Sequence, residues 1–424
     1  MSRLDAYLAE KLQIKPEQLS RQAIEVWQLK AMNDLLTWCK QHSSYYASYP
    51  DRLQTLEDMT ALPFLTGQTL AEQGHQLLCV SQSAVNRVVT MQTSGTSGLS
   101  KRLYFSAADQ QLTVDFFACG LSELHEPGDC CMILMPGNHP GGMSHLIQQA
   151  LRKLEVEPVA CAPDSVFAQM AALLEQHKVN TIVGSPVQIL SLGRYLQHYH
   201  LPHAIKAVLV SSDYLPETVR KALEATLHCT VYDHYGITEA GLGFAIECEM
   251  HQGLHIREND LLVEIIDCQT NLPVADGQWG ELVFTTLTRR AMPLIRYRTG
   301  DKARLLAAPC PCGSVVKRMD KIPGRIVQLQ DPYSMPLLDE LLFQLPQVVD
   351  YQAHYHTSQQ CLTLQLLLTS PLQTVEPILQ KLLRPVLHKT HQLQLEAVRL
   401  DAAQIPLAKS LYTGKRKILE AVTE

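Results

Sequence analysis

Between Val88 and Tyr235 the chain alternates short apolar runs with amphipathic stretches, and this alternation narrows the possible folds more than any other feature. CCMILMP (130–136), VNTIVGSP (179–186) and IKAVLVSSD (205–213) read as buried strands ending in turn residues. SVFAQMAALLEQHK and PETVRKALEATL carry apolar residues at three-to-four spacing, as crossover helices do. Strands and helices in alternation predict an α/β sheet, which takes its ligands at the carboxyl ends of its strands.

The flanks read differently. The first stretch, to about Thr60, is helical, with helical spacing through AIEVWQLKAMNDLLTWC. Between Leu261 and Arg304 the pattern turns to strands and turns, LLVEIID, NLPVADGQWG and ELVFTTL. From Ile326 onward, strand-like CLTLQLLL and LQLEAVRL surround helix-like PLLDELLFQL and EPILQKLLRPVLH, a small α+β domain. At 424 residues the chain exceeds one ordinary domain. The expected division is a large multi-layer domain over 1–325, with mixed sheets and crossover helices, and a small one over 326–424.

Composition excludes several functions. Hydrophobic residues make up 46% and charged ones 18%, a globular balance rather than a disordered one. A formal charge of −6 without a basic block gives nucleic acid no electrostatic footing. No apolar run reaches membrane-spanning length, and MSRLDAYLAEKLQI lacks the apolar core of a secretory signal. With twelve cysteines, the expectation is a cytoplasmic protein whose cysteines are buried, metal-bound or reactive rather than bridged.

The segment richest in chemistry is Gln92-Thr93-Ser94-Gly95-Thr96-Ser97-Gly98-Leu99-Ser100-Lys101, set between strand-like AVNRVVTM and RLYFS. Gly95 and Gly98 permit sharp turns that bring backbone N–H groups to an anion. Ser94, Thr96 and Ser97 add hydroxyls and Lys101 a charge. The spacing is not that of a Walker loop. By itself the run is either an anion cradle or a solvated hairpin turn.

Further segments stand with it. Tyr235-Gly236-Ile237-Thr238-Glu239 follows strand-like TVYDH, Arg296-Tyr297-Arg298-Thr299-Gly300-Asp301 follows an apolar run, and Gly324-Arg325 and Gly414-Lys415 come later. In this order the set resembles the adenylate-forming superfamily of acyl-CoA synthetases, luciferases and peptide-synthetase adenylation domains. ECEMHQGLHIREND, WGELVFTTLTRRAMPLIRYRTGD and CPCGSVVKRMDKIPGR resemble the phenylacetate–CoA ligase branch, which includes coenzyme F390 synthetase-like proteins.

The resemblance implies that a carboxylic acid attacks the α-phosphorus of ATP and expels pyrophosphate, in a site that neutralises developing negative charge. Residues 94–98 would hold phosphates, with Lys101 assisting. Tyr235 offers a ring face to adenine, beside Gly236, and the Thr238 hydroxyl meets the α-phosphate. Glu239 offers a hard oxygen to Mg²⁺. Asp301 suits a ribose diol, since a carboxylate accepts two hydrogen bonds at once. Arg325 would contact nucleotide, and Ser212 and Asp213 fall where the family lines its adenine pocket. Lys415 would swing in with a mobile C-terminal lid to stabilise the transition state. Departures are Val327 and Gln328, where the family has two acidic hinge residues, and MPGNHPGGMSHLIQQAL, where an aromatic substrate segment is replaced by His139, Met143 and His145.

Three functions follow from the resemblance. One is an acyl-CoA ligase taking a small carboxylic acid, ATP and CoA. A second transfers the adenylate or loads a carrier without CoA, and a third is a catalytically weak homologue. A metal reading stands apart. Cys248 and His255 bracket a turn-like EMHQG, and Cys310-Pro311-Cys312-Gly313 lies beyond further strands. Structural zinc closes on four Cys or His ligands, although four unrelated buried residues would look the same. The family pattern, in which these residues recur together, implies one Cys₃His zinc.

Overall fold

A computed structural model describes residues 3–92, 100–326, 333–387, 392–400 and 416–420. The chain packs as two compact units, Met1–Glu123 with His234–Val327, and Leu124–Asp233 with Gln328–Glu424.

In the second of these, the expected alternation is realised. Glu157–Ala160, Cys130–Ile133, Thr181–Gly184, Ala207–Val210 and residues 230–233 lie side by side, all parallel. Helices Met143–Lys153, Phe167–Gln176, Pro186–His198 and Glu217–Leu227 supply the crossovers. Three of these strands are buried at every residue, which is why they read as unbroken apolar runs rather than alternating ones. The later residues add a four-stranded sheet ordered Gln392–Arg399, Cys361–Leu368, Val348–His356 and Leu419–Glu420, with helices Met335–Leu342 and Leu372–Leu383. One apolar core runs through both parts, from Met132, Ile182 and Val208 to Leu342, Tyr351 and Leu364. Ser191 Oγ donates to the Val349 carbonyl at 2.7 Å, and Arg194 donates to the carbonyls of Val348 and Phe343. The described residues from 333 onward therefore share a core with 124–233.

The first unit is built on a second core that includes Met32, Leu36, Phe244, Phe284 and Ile295. Helix Arg21–His42 forms where the spacing predicts it and is N-capped by Ser20, whose side chain accepts from Ala23 N. An antiparallel sheet joins Leu261–Ile266, Gly280–Thr286 and Tyr297–Ala303. A hairpin pairs Arg87–Gln92 with Ser100–Phe105. His234 and Tyr235 pair antiparallel with Ala245–Glu247, which continues to Leu254–Ile256 and Arg318–Met319. Helix Ala107–Leu121 opens on a capping box between Ser106 and Asp109. Among the described residues, no helix is long and apolar enough to cross a membrane.

Candidate active site

The site grows from the end of strand Thr230–Tyr235. A Cβ on Gly236 would lie 1.9 Å from the Leu242 carbonyl oxygen, so only glycine lets the chain turn here. Leu242 N donates to Ile237 O at 2.9 Å and Gly241 N to Thr238 O at 3.0 Å. The 3₁₀ turn Thr238–Ala240 is thereby closed, with Thr238 half-buried and Glu239 buried, 6% exposed.

Two groups from distant strands meet the Glu239 carboxylate. Lys101 occupies an inward position on Ser100–Phe105, whose burial alternates. Its ammonium pairs with Glu239 Oε1 and lies 3.2 Å from the Tyr297 hydroxyl, which itself donates to the same Oε1 at 3.0 Å. Burial alone would raise the Glu239 carboxyl. The Lys101 charge and the hydrogen bonds from Lys101 and Tyr297 outweigh it and hold the group below its ordinary value. Burial, reinforced by Glu239, pushes the Tyr297 phenol up, so it stays a donor. Both contacts fall on Oε1 rather than Oε2, which suits a carboxylate that also offers an oxygen to a hard cation.

Asp301 forms a second centre in the same unit. The strand Tyr297–Ala303 carries an irregularity, with Gly300 at φ +77°. Tyr235 donates its hydroxyl to Asp301 Oδ2 at 2.5 Å, and Arg325 Nε lies 3.6 Å from Oδ1. Backbone bonds pull the two segments together, Lys302 N to Gly324 O at 3.0 Å and Ile326 N to Gly300 O at 2.9 Å. Burial and the Asp301 charge push the Tyr235 phenol well above its ordinary value. The Tyr235 ring packs edge-on against Phe244, with centroids 5.3 Å apart.

The structure thus brings together Lys101 with Glu239, and Tyr235 with Asp301 and Arg325. Ser212 and Asp213 belong to the other unit. Ser212 holds a left-handed φ of +74°, and Asp213 Oδ1 accepts from Tyr214 N. A left-handed non-glycine residue costs energy and persists only where surrounding structure imposes it. Ser94, Gly95, Thr96, Ser97, Gly98, Lys415, Val327 and Gln328 lie outside the described residues.

Sequence reading missed Tyr297 as a site residue. Its cue is an aromatic hydroxyl inside the RYRTGD run, which was read for its carboxylate alone.

The metal candidates converge as well. The ligand atoms of Cys248, His255, Cys310 and Cys312 all lie within 4.8 Å of one another. Cys248 Sγ is 3.7 Å from Cys310 Sγ, and Cys312 Sγ is 3.5 Å from His255 Nε2. A tetrahedral zinc with bonds of about 2.3 Å to sulfur sets ligand separations near ~3.8 Å, so the donor set fits. Antiparallel pairing of Arg318 with His255 brings the two segments side by side, and Arg318 clamps them through the Gln252 and Ala308 carbonyls.

Residues 37–287 match the profile of a family described as AMP-binding enzyme. The chain belongs to that family. Within the AMP-binding enzymes it is phenylacetate–CoA ligase-like. It is 26% identical over 374 residues to a phenylacetate-coenzyme A ligase of Thermus thermophilus, covering 79% of this chain and 78% of the relative. To the phenylacetate-coenzyme A ligase of Pseudomonas putida it is 28% identical over 307 residues, covering 70% and 68%. A 2-hydroxyisobutyryl-CoA ligase solved in the postadenylation state superposes with a TM-score of 0.74 at 19% identity, covering 91% of this chain and 87% of that one. That likeness establishes the shared α/β fold of this AMP-binding enzyme.

Proposed function

We propose that this chain is an acid–thiol ligase that activates a small carboxylic acid with ATP and passes the acyl group to CoA. The observation that carries the reading is a pair of buried carboxylates in one unit, each held by a cation and a phenol. Lys101 and Tyr297 hold Glu239, and Arg325 and Tyr235 hold Asp301.

An oxygen of the substrate carboxylate forms a bond to the α-phosphorus while the bond to the pyrophosphate oxygen breaks. The thiol sulfur of CoA then bonds to the acyl carbon, loses its proton, and AMP leaves. Asp301 accepts from the ribose diol, with Tyr235 and Arg325 fixing its orientation. Thr238 donates to the α-phosphate, in the turn that Gly236 permits. Ser94, Gly95, Thr96, Ser97 and Gly98 cradle the outgoing phosphates, and Lys101 supplies charge beside them. Lys415 brings a cation to the transition state. Glu239 would hold Mg²⁺, which neutralises phosphate charge when bound. Cys248, His255, Cys310 and Cys312 hold a structural zinc away from the acyl chemistry. His139, Met143 and His145 stand on a substrate segment without an aromatic residue, which favours an acid other than phenylacetate. The proposed setting is a reducing cytoplasm, where the twelve cysteines would stay unbridged.

The test is a panel of carboxylic acids incubated with Mg²⁺ and ATP, with and without CoA, followed for pyrophosphate, AMP and thioester. The expected result is pyrophosphate, AMP and thioester together when CoA is present. Adenylate without thioester would overturn the CoA step in favour of transfer to another acceptor.

A further inference from the structure

The turn Thr238–Ala240 spans three residues, too few to hold a catalytic carboxylate by their own hydrogen bonds. Two side chains from elsewhere in the same unit grip it. Thr113, on helix Ala107–Leu121, donates Oγ1 to the Gly241 carbonyl at 2.7 Å. Arg289 donates Nη1 to the Glu239 carbonyl at 2.7 Å and Nη2 to the Tyr104 carbonyl at 3.2 Å. Its guanidinium lies over the Phe105 ring, 4.2 Å from the centroid. One arginine thus joins the strand that carries Lys101 to the turn that carries Glu239.

The loop bearing Arg289 is itself clamped. Asp109 accepts from Arg290 N at 2.9 Å and Ala291 N at 3.2 Å while capping its helix. Thr288 donates to Asp260 Oδ1 at 2.6 Å. Arg289 is only 5% exposed, and the Asp109 and Glu239 carboxylates act on its charge from beyond ion-pair distance. Asp260, near at hand, pairs with Arg257 at 2.7 Å. Burial lowers the Arg289 guanidinium to about 10, which leaves it charged at neutral pH. A buried cation is costly to keep for packing alone. Here Nη1 and Nη2 go to two carbonyls, one of them on Glu239, while Nε finds no hydrogen-bond partner among the described residues.

We propose that Arg289 is the positioning residue of the site, fixing the Thr238–Ala240 turn through the Glu239 carbonyl so that the Glu239 carboxylate is held in register with Lys101 and Tyr297. The inference rests on the proposed role of Glu239 toward Mg²⁺. Arg289→Met removes both carbonyl contacts. Arg289→Lys keeps the charge and can reach one carbonyl. Thr113→Val removes the bond at the other end of the turn with little change in volume.

Two readouts apply to wild type and variants. One is the Mg²⁺ half-saturation of acid-dependent pyrophosphate exchange. The other is Mn²⁺ binding in the presence of a non-hydrolysable ATP analogue, followed by water-proton relaxation. Arg289→Met raises both midpoints by about tenfold, the scale of one lost charge-assisted hydrogen bond. Arg289→Lys falls between wild type and Arg289→Met. Thr113→Val shifts both midpoints in the same direction by about threefold, as for a neutral hydrogen bond. Lower thermal stability with wild-type midpoints in Arg289→Lys and Thr113→Val would overturn the proposal and leave Arg289 a packing residue. Absence of acid-dependent exchange in the wild type would instead sink the reading of the site itself.

Discussion

The hydroxyl of Tyr235 donates to Oδ2 of Asp301 across 2.5 Å, joining the end of one strand to the irregular middle of another. The bond fixes which way the carboxylate faces. Tyr235→Phe should therefore spare folding and raise the KM for ATP by about tenfold, the scale of a hydrogen bond to a charged group. Initial-rate kinetics with varied ATP measure it. A wild-type KM would mean that Asp301 does not meet the nucleotide.

Glu239 gives a pH dependence whose sign is set by its surroundings. Burial favours the neutral acid, and Lys101 with Tyr297 more than reverses that, so the folded value lies below the ordinary one. The ionised carboxylate therefore stabilises the fold above about pH 4.3, its unfolded value, and that contribution is lost as pH falls through the folded value. Lys101→Met removes the opposing charge and leaves burial dominant. The acid limb of the kcat/KM profile for adenylation should move to higher pH. Coincident acid limbs for the two proteins would contradict the pairing.

The four-residue cluster predicts metal content directly. Protein purified without chelator should carry about one zinc per chain, the number a single Cys₃His site holds. Cys310→Ser should lose the metal and lower the melting temperature while leaving Lys101, Glu239 and Asp301 in place. Elemental analysis showing less than ~0.2 zinc in the wild type would return these residues to the ordinary buried class.

A buried knot in the other unit predicts an asymmetric effect on stability. Arg416 Nη1 and the Tyr351 hydroxyl both donate to Asp339 Oδ1 at 2.6 Å, with Arg416 over the Tyr351 ring. Arg416→Met strands the Asp339 carboxylate in the core and should cost about 3–5 kcal/mol. Adding Asp339→Leu should recover part of that loss, because the stranded carboxylate is gone while buried Asp350 still loses the Arg416 charge. Denaturant midpoints of the full chain decide it, and a double variant no better than the single one would argue against the knot.

What was legible in the sequence was whatever is local. Glu239, Asp301 and Arg325 lie inside contiguous motifs, and the parallel strands announce themselves as buried apolar runs. Cys248, His255, Cys310 and Cys312 were legible as residue types, and strand pairing between Arg318 and His255 brings their segments together. Arg289 was not legible as a site residue, because its role arises from a contact 50 positions away, and Tyr297 had only its place in RYRTGD as a cue to a contact 58 positions away. The packing of the described residues from 333 onward with 124–233 was equally hidden. It depends on contacts such as Ser191 with Val349, 158 positions apart, for which periodicity gives no signal.

The most direct test of the central claim is exchange of radiolabelled pyrophosphate into ATP, measured with and without carboxylic acids and in the absence of CoA. The account predicts acid-dependent exchange in the wild type and its loss in Asp301→Ala and Glu239→Ala, both remaining folded by circular dichroism. Exchange at the wild-type rate in both variants, or none with any acid in a broad panel, would contradict it.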